Sequence, residues 1–234
     1  TVLKEFNFDD VPVGVVSTAS ERMKYDLKTG SQEALGDSVI TAVSAPRDED
    51  ADNIAIEVKA IKNTARVAVS LATPYPSEKI EINYSIRVDE LVQQGKFFPQ
   101  IKDSSGNTTN LIQFTTDGKL QCADGGNYNK ETWVDVQDYS KASWYDISLK
   151  INVETQKYDL YINGTAAKTG MSLPIGNNKS STIADVKTLN YLVNGSGGTS
   201  TALLDNLSVE IPAESMTVLK EFNFDDVPVG VVST

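Results

Sequence analysis

Three sets of residues in this sequence could do chemistry. The first is rich in oxygen: Asp9 and Asp10 near one end, Asp205 and Asn206 near the other. Calcium takes several oxygen ligands, usually carboxylates and carbonyls from separated segments. If the strands carrying these two pairs lie side by side, the four residues converge on one cation. The acidic run Asp48-Glu49-Asp50-Ala51-Asp52 is a weaker metal candidate and reads better as solvated charge. The second set could hold a sugar, which needs an exposed ring flanked by amides and carboxylates. Trp133, Tyr128 and Tyr139 supply rings, and Asp124, Asn127 and Asn129 the polar groups, around the glycine-bearing loop Asp124-Gly125-Gly126-Asn127. Phe97 and Phe98 are a further aromatic pair, whereas Trp144 heads an alternating strand and reads as core. The third set is paired carboxylates, as glycoside hydrolysis requires. Glu78 and Glu81, like Asp135 and Asp138, are three residues apart and point to opposite faces of a strand, so no enzyme is expected.

These residues must be positioned by strands. Ile80, Ile82, Tyr84, Ile86 and Val88 share one face while Glu81, Asn83, Ser85 and Arg87 share the other, the period of a half-buried strand. Similar runs at 22–27, 37–43, 53–60, 65–71, 97–102, 111–115, 119–122, 143–153, 157–162, 189–193 and 202–211 are separated by turn residues. Asn163-Gly164 suits a tight hairpin, because both residues tolerate positive φ. Only Asp89 to Gln94 reads as helical, for a turn or so. Many even strands with polar turns predict an all-β fold, a two-sheet antiparallel sandwich or jelly roll.

Composition narrows the partners. A net charge of −11 argues against nucleic acid and against an anionic membrane surface. The absence of histidine removes His-based zinc sites, His general bases and Ser-His-Asp triads. Cys122 stands alone, so the chain has no internal disulfide. No apolar run is long enough to suggest insertion into a membrane.

Thr1 to Thr18, TVLKEFNFDDVPVGVVST, recurs without change at Thr217 to Thr234. A repeat at this offset makes the repeating unit a whole domain. The expected organisation is a unit at 1–211, a short link at 212–216 and the start of the next unit at 217–234. A domain has one slot for its first strand, so the second copy is expected to pair with a neighbouring unit. Phe6 and Phe8, with Phe222 and Phe224 in the second copy, would be the inter-unit anchors.

Phe8-Asp9-Asp10 with Pro12 and Gly14, the run Trp144 to Leu149 before Tyr161-Ile162-Asn163-Gly164, and Leu204 to Val209 together resemble the laminin-G-like, concanavalin A-like jelly rolls of bacterial extracellular proteins. The resemblance implies a last strand lying beside the first and a structural calcium near the chain ends. The function expected is that of a structural repeat in an extracellular or cell-surface filament, stalk or adhesin, self-associating head to tail. The alternative is a carbohydrate-binding module whose partners are glycans.

Overall fold

Alternating apolar residues in this chain build strands throughout. The computed structural model describes residues 2–6, 8–9, 11–18, 30–47, 50–75, 79–93, 99–176 and 182–211. The first strands are β1 (Val2–Phe6), β2 (Gly14–Thr18), β3 (Gly30–Ala34) and β4 (Val39–Ser44). Next come β5 (Ile54–Ile61), β6 (Thr64–Tyr75), β7 (Ile80–Glu90) and the short β8 (Gln100–Lys102), β9 (Thr108–Asn110) and β10 (Ile112–Phe114). The second half holds β11 (Lys119–Asn127), β12 (Lys130–Asp138), β13 (Trp144–Asn152) and β14 (Lys157–Ile162). It closes with β15 (Thr165–Ser172), β16 (Val186–Asn194) and β17 (Thr199–Glu210).

The fold is an antiparallel β-sandwich. One layer is a large sheet in the order β15-β14-β13-β7-β17-β5-β4-β2, with β1 also paired to β17. The other side holds the sheet β3-β6-β16-β8-β9 and the small sheet β10-β11-β12. The core takes one face of each strand, for example Ile80, Ile82, Tyr84, Ile86 and Val88 of β7. Tyr84 meets Tyr191 edge-on across the layers, with ring centroids 5.3 Å apart. Phe114 of β10 likewise reaches Tyr145 of β13 at 6.4 Å, tying the small sheet to the large one. Asn163 and Gly164 form the predicted two-residue hairpin between β14 and β15, with φ of 50° and 75°.

Four expectations need correction. Asp89 and Glu90 are the end of β7 rather than helix: Thr201 pairs with Glu90, and Arg87 donates from Nε and Nη2 to the Asp89 carboxylate on the same strand face. Trp144 is not in the main core. It packs half-buried on the outward face of the large sheet with Val43, Ala45, Ala55 and Leu203. The stretch 124–127 is strand, not loop, because bulges at positive-φ Gly125 and Gly126 let β11 continue. Tyr139 is core, its hydroxyl donating to the Thr115 carbonyl.

Of the anchors expected between units, Phe8 is 1 % exposed, in the core of the described residues. The backbone of Phe6 pairs with Leu207. Phe222 and Phe224 lie outside the described residues, as do Asp10, Phe97, Phe98, the strand expected at 22–27 and the link at 212–216.

Candidate functional site

Two polar surfaces emerge, one on each outward face. On the small sheet, partners across the ladder present side chains to the same side. Gln113, Gln121 and Asp135 form one row: Gln113 Nε2 donates to Gln121 Oε1 at 2.5 Å, and Gln121 Nε2 to Asp135 Oδ1 at 2.7 Å. Glu131, Trp133 and Asp135 alternate along β12 and therefore share this face. Val134 and Val136 turn the other way and pack against the core. Trp133 is half-buried opposite Ala123.

A second row meets it at Glu131. Asn190 Nδ2 donates to Gln100 Oε1 at 3.3 Å, Gln100 Nε2 to Asn110 Oδ1 at 3.1 Å, and Asn110 Nδ2 to Glu131 Oε1 at 2.7 Å. Every member of this row is at least nine-tenths buried. Two acceptors on the combined face are buried without a partner, Glu131 Oε2 and Gln113 Oε1. Buried acceptors of this kind are costly unless a donor reaches them. Above these buried rows, half-buried Gln121 and exposed Asp135 beside half-buried Trp133 can offer a sugar hydroxyl partners and a ring to stack on.

The sequence-predicted glycan residues divide. Trp133 belongs to this face. Asp124 is turned to β15, where its Oδ1 accepts from the Ser172 N–H at 2.9 Å. Asn127 is exposed and Tyr128 half-buried at the hairpin tip, which Ile175 holds through hydrogen bonds to Gly126 and Tyr128. The amide rows were missed because their members come from six strands and no local spacing links them.

The second surface is a polar cleft of about 610 Å³ on the outward face of the large sheet. Its floor is a row across three strands, where Asp205 of β17 pairs with Ser85 of β7 and Ser85 with Asp146 of β13. Arg47, from the β4–β5 loop, donates from Nη1 to Ser85 Oγ at 2.6 Å and from Nη2 to Asp146 Oδ2 at 2.5 Å. Its guanidinium also lies 5.5 Å from the Trp144 ring centroid, with that of Arg87 at 5.6 Å. Burial alone would raise the Asp146 pKa. Hydrogen bonds from Arg47 and Ser85, with the Arg47 charge, outweigh it and hold the carboxyl below its ordinary value.

The predicted cation residues sit at one end of this cleft. β1 does pair with β17, as the convergence of Asp9 with Asp205 and Asn206 required. Asn206 is the extra residue of a bulge in β17, with φ 51°. Asp9 and Asn206 line the cleft, and Asp9 Oδ1 accepts from the Ile54 N–H at 3.0 Å. Asp205 is fully buried; its Oδ1 accepts from the Asn206 N–H, while its Oδ2 has no partner. Burial raises its pKa, the Asp9 charge adds to the rise, and the Asn206 N–H, Asn53 and Arg47 oppose it. Among the described residues no group of three Asp, Glu or Cys side chains is gathered for a metal. Two carboxylates with an orphaned buried oxygen and neighbouring amides nevertheless fit a hard, oxygen-seeking cation.

The family model of the sialidase-like, CBM domain matches residues 74–177, the stretch that carries β10, β11 and β12. No curated protein matches the chain. Among solved structures, a sialidase is similar over 89 % of this chain at 9 % identity and TM-score 0.63, and the chain spans 18 % of that protein's length. An endo-β-1,4-glucuronan lyase from the fungus Trichoderma reesei is similar at 11 % identity and TM-score 0.55, covering 78 % of this chain and 91 % of its own. A carbohydrate esterase from the Shiga toxin-encoding bacteriophage phi24B is similar at 12 % identity and TM-score 0.60, covering 91 % and 99 %. At such identities the likeness speaks to fold. The chain is an antiparallel β-sandwich, and residues 74–177 carry a likeness to the sialidase-like, CBM domain.

Proposed function

We propose that the chain is an extracellular carbohydrate-binding module that holds a glycan across Trp133 on the small sheet's outward face. The observation that carries this reading is the outward row of half-buried Gln121 and exposed Asp135 on the face of half-buried Trp133, inside the matched segment. Sugar hydroxyls can donate to the exposed Asp135 carboxylate, and the indole covers the apolar face of the ring. A glycan array followed by calorimetry on the hits tests it. Trp133→Ala should weaken binding at least tenfold, about 1.4 kcal/mol, while thermal unfolding stays within a few degrees of the parent. Failure to retain any glycan, or retention unaffected by Trp133→Ala, would refute the assignment.

Calcium is the proposed structural ion, held by Asp9 and Asp205 with Asn206 beside them. Bound there, it would neutralise two carboxylates and tie the first strand to the last. The duplicated segment favours a second reading, a structural repeat in a tandem array, because the first copy already fills the strand slot beside β17.

A further inference from the structure

The cleft on the large sheet has a second end that the cation residues do not use. It is lined by Asn83, Asp146, Ser148 and Gly164, below the loop that carries Arg47 and Asp50. We infer that this end is a second saccharide site, on the face opposite Trp133, and that it takes an uncharged sugar.

The whole cleft, both ends together, is about 610 Å³, within the roughly 300 to 1,000 Å³ of small-ligand clefts. The polar chemistry selects the ligand. Ser148 Oγ donates its proton to Glu81 Oε1 at 2.9 Å, and the Asn83 amide donates to Ser208 Oγ at 3.2 Å and to Glu210 Oε1 at 3.4 Å. Each group thus gives its donor to the sheet and keeps acceptor capacity on its oxygen. Asp146 is acceptor-only; each of its oxygens receives one hydrogen bond, and a carboxylate oxygen can accept two. Its side chain is 49 % exposed, open to the cleft from the solvent side. The walls therefore have acceptors to spare, and a polyhydroxylated ring brings donors.

Charge excludes the acidic sugars. Among the described residues, Asp9, Asp50 and Asp146 line the cleft with one cation, Arg47, which is bound to Asp146 and Ser85. A sialate or uronate carboxylate would enter a surplus of negative charge and meet like-charge repulsion. Trp144 lies outside the lining, its ring carrying the Arg47 and Arg87 guanidiniums. The site shares no residue with the Trp133 face, so either can fail without the other.

The test uses the chain with Trp133→Ala, which silences the first site. Neutral gluco-, galacto-, manno- and xylo-oligosaccharides, sialyllactose and an oligouronate are titrated by amide NMR, in calcium and in chelator. The expected result is saturable shifts at Asn83, Asp146, Ser148 and Gly164 with a neutral oligosaccharide only, in both conditions. Ser148→Tyr, which fills the cleft from a strand position that accepts an aromatic side chain, should reduce that affinity at least tenfold. Asp146→Ala should do the same by removing an acceptor, with folding checked by thermal unfolding. No neutral sugar shifting these amides, a preference for the acidic sugars, or binding only in calcium would each overturn the inference. Binding in the parent that Trp133→Ala abolishes would leave the first site standing and remove this one.

Discussion

Asp205 and Asp146 stand two strands apart on one outward row, with Ser85 between them, and their surroundings push their carboxyls in opposite directions. The folded pKa of Asp205 lies above its unfolded value. Its contribution therefore favours folding below the ordinary carboxyl range, near 3.9, and is lost as pH rises through the raised value. At neutral pH the chain holds a buried carboxylate oxygen with no donor, a cost of about 1–3 kcal/mol for a group of this kind. Asp146 behaves oppositely: its contribution is present above the unfolded value and lost as pH falls through the lowered one. Asp205→Asn keeps the acceptor for the Asn206 N–H and removes the charge. In chelator at pH 7 it should raise the melting temperature by several degrees, since 1 kcal/mol is worth about 2–4 °C in a chain of this size. The gain should shrink as pH falls through the raised folded value and be gone below about 3.9, where the parent carboxyl is protonated in both folded and unfolded chain. Calcium should stabilise the parent and leave Asp205→Asn unmoved. Destabilisation by Asp205→Asn in chelator, or equal calcium shifts in both proteins, would remove the proposed ion.

At the scale of elements, the β11–β12 hairpin decides which way Trp133 faces, and Gly126 decides the hairpin. Its φ is +89°, and a Cβ added there would lie 2.6 Å from the Lys130 carbonyl oxygen. Gly126→Ala must strain or shift the bulge, at a cost of roughly 1–3 kcal/mol, and the displaced register should also lower glycan affinity at Trp133. Gly170→Ala is the comparison, because φ is again positive at +68° but a Cβ meets nothing within 4 Å. It should cost stability while leaving glycan affinity unchanged; equal affinity losses in the two would show that general loosening, not register, is responsible. The same hairpin marks the limit of what the sequence reveals. Strand period and the Asn163-Gly164 turn were legible, because each depends on local spacing or on one turn type; the pairing of first and last strands came only with the resemblance to jelly-roll domains. The inward face of β13 was legible as well, since Tyr145, Ile147, Leu149 and Ile151 alternate with Asp146, Ser148 and Lys150; reading Trp144 as core set that alternation aside. The Gly125-Gly126 pair reads as a loop in isolation because a bulge and a loop use the same residues. The row Asn190–Gln100–Asn110–Glu131 joins four strands through register, which no short motif encodes.

For the whole molecule, the duplicated segment sets a problem in strand counting. β1 runs antiparallel to the end of β17, with Val2 opposite Glu210 and Phe6 opposite Leu207. Phe8 and Val11, which follow it, are buried in the same unit. Val218 is the counterpart of Val2 and follows Glu210 after the seven residues 211–217, a loop long enough for an antiparallel hairpin. The one slot beside β17 thus has two identical claimants within reach. Exchanging one copy for the other at this slot gains no new pairing, so the two copies should be able to substitute for each other. A double-mutant cycle tests this. Phe224→Asp should leave the melting temperature unchanged, and Phe8→Asp should lower it only slightly as the second copy takes the slot. The double variant should lose the anchor outright, at a cost of at least the ~3–5 kcal/mol of a buried Phe→Ala change. If Phe8→Asp alone costs as much as the double variant, the copies are not interchangeable, and the second strand is reserved for a neighbouring unit.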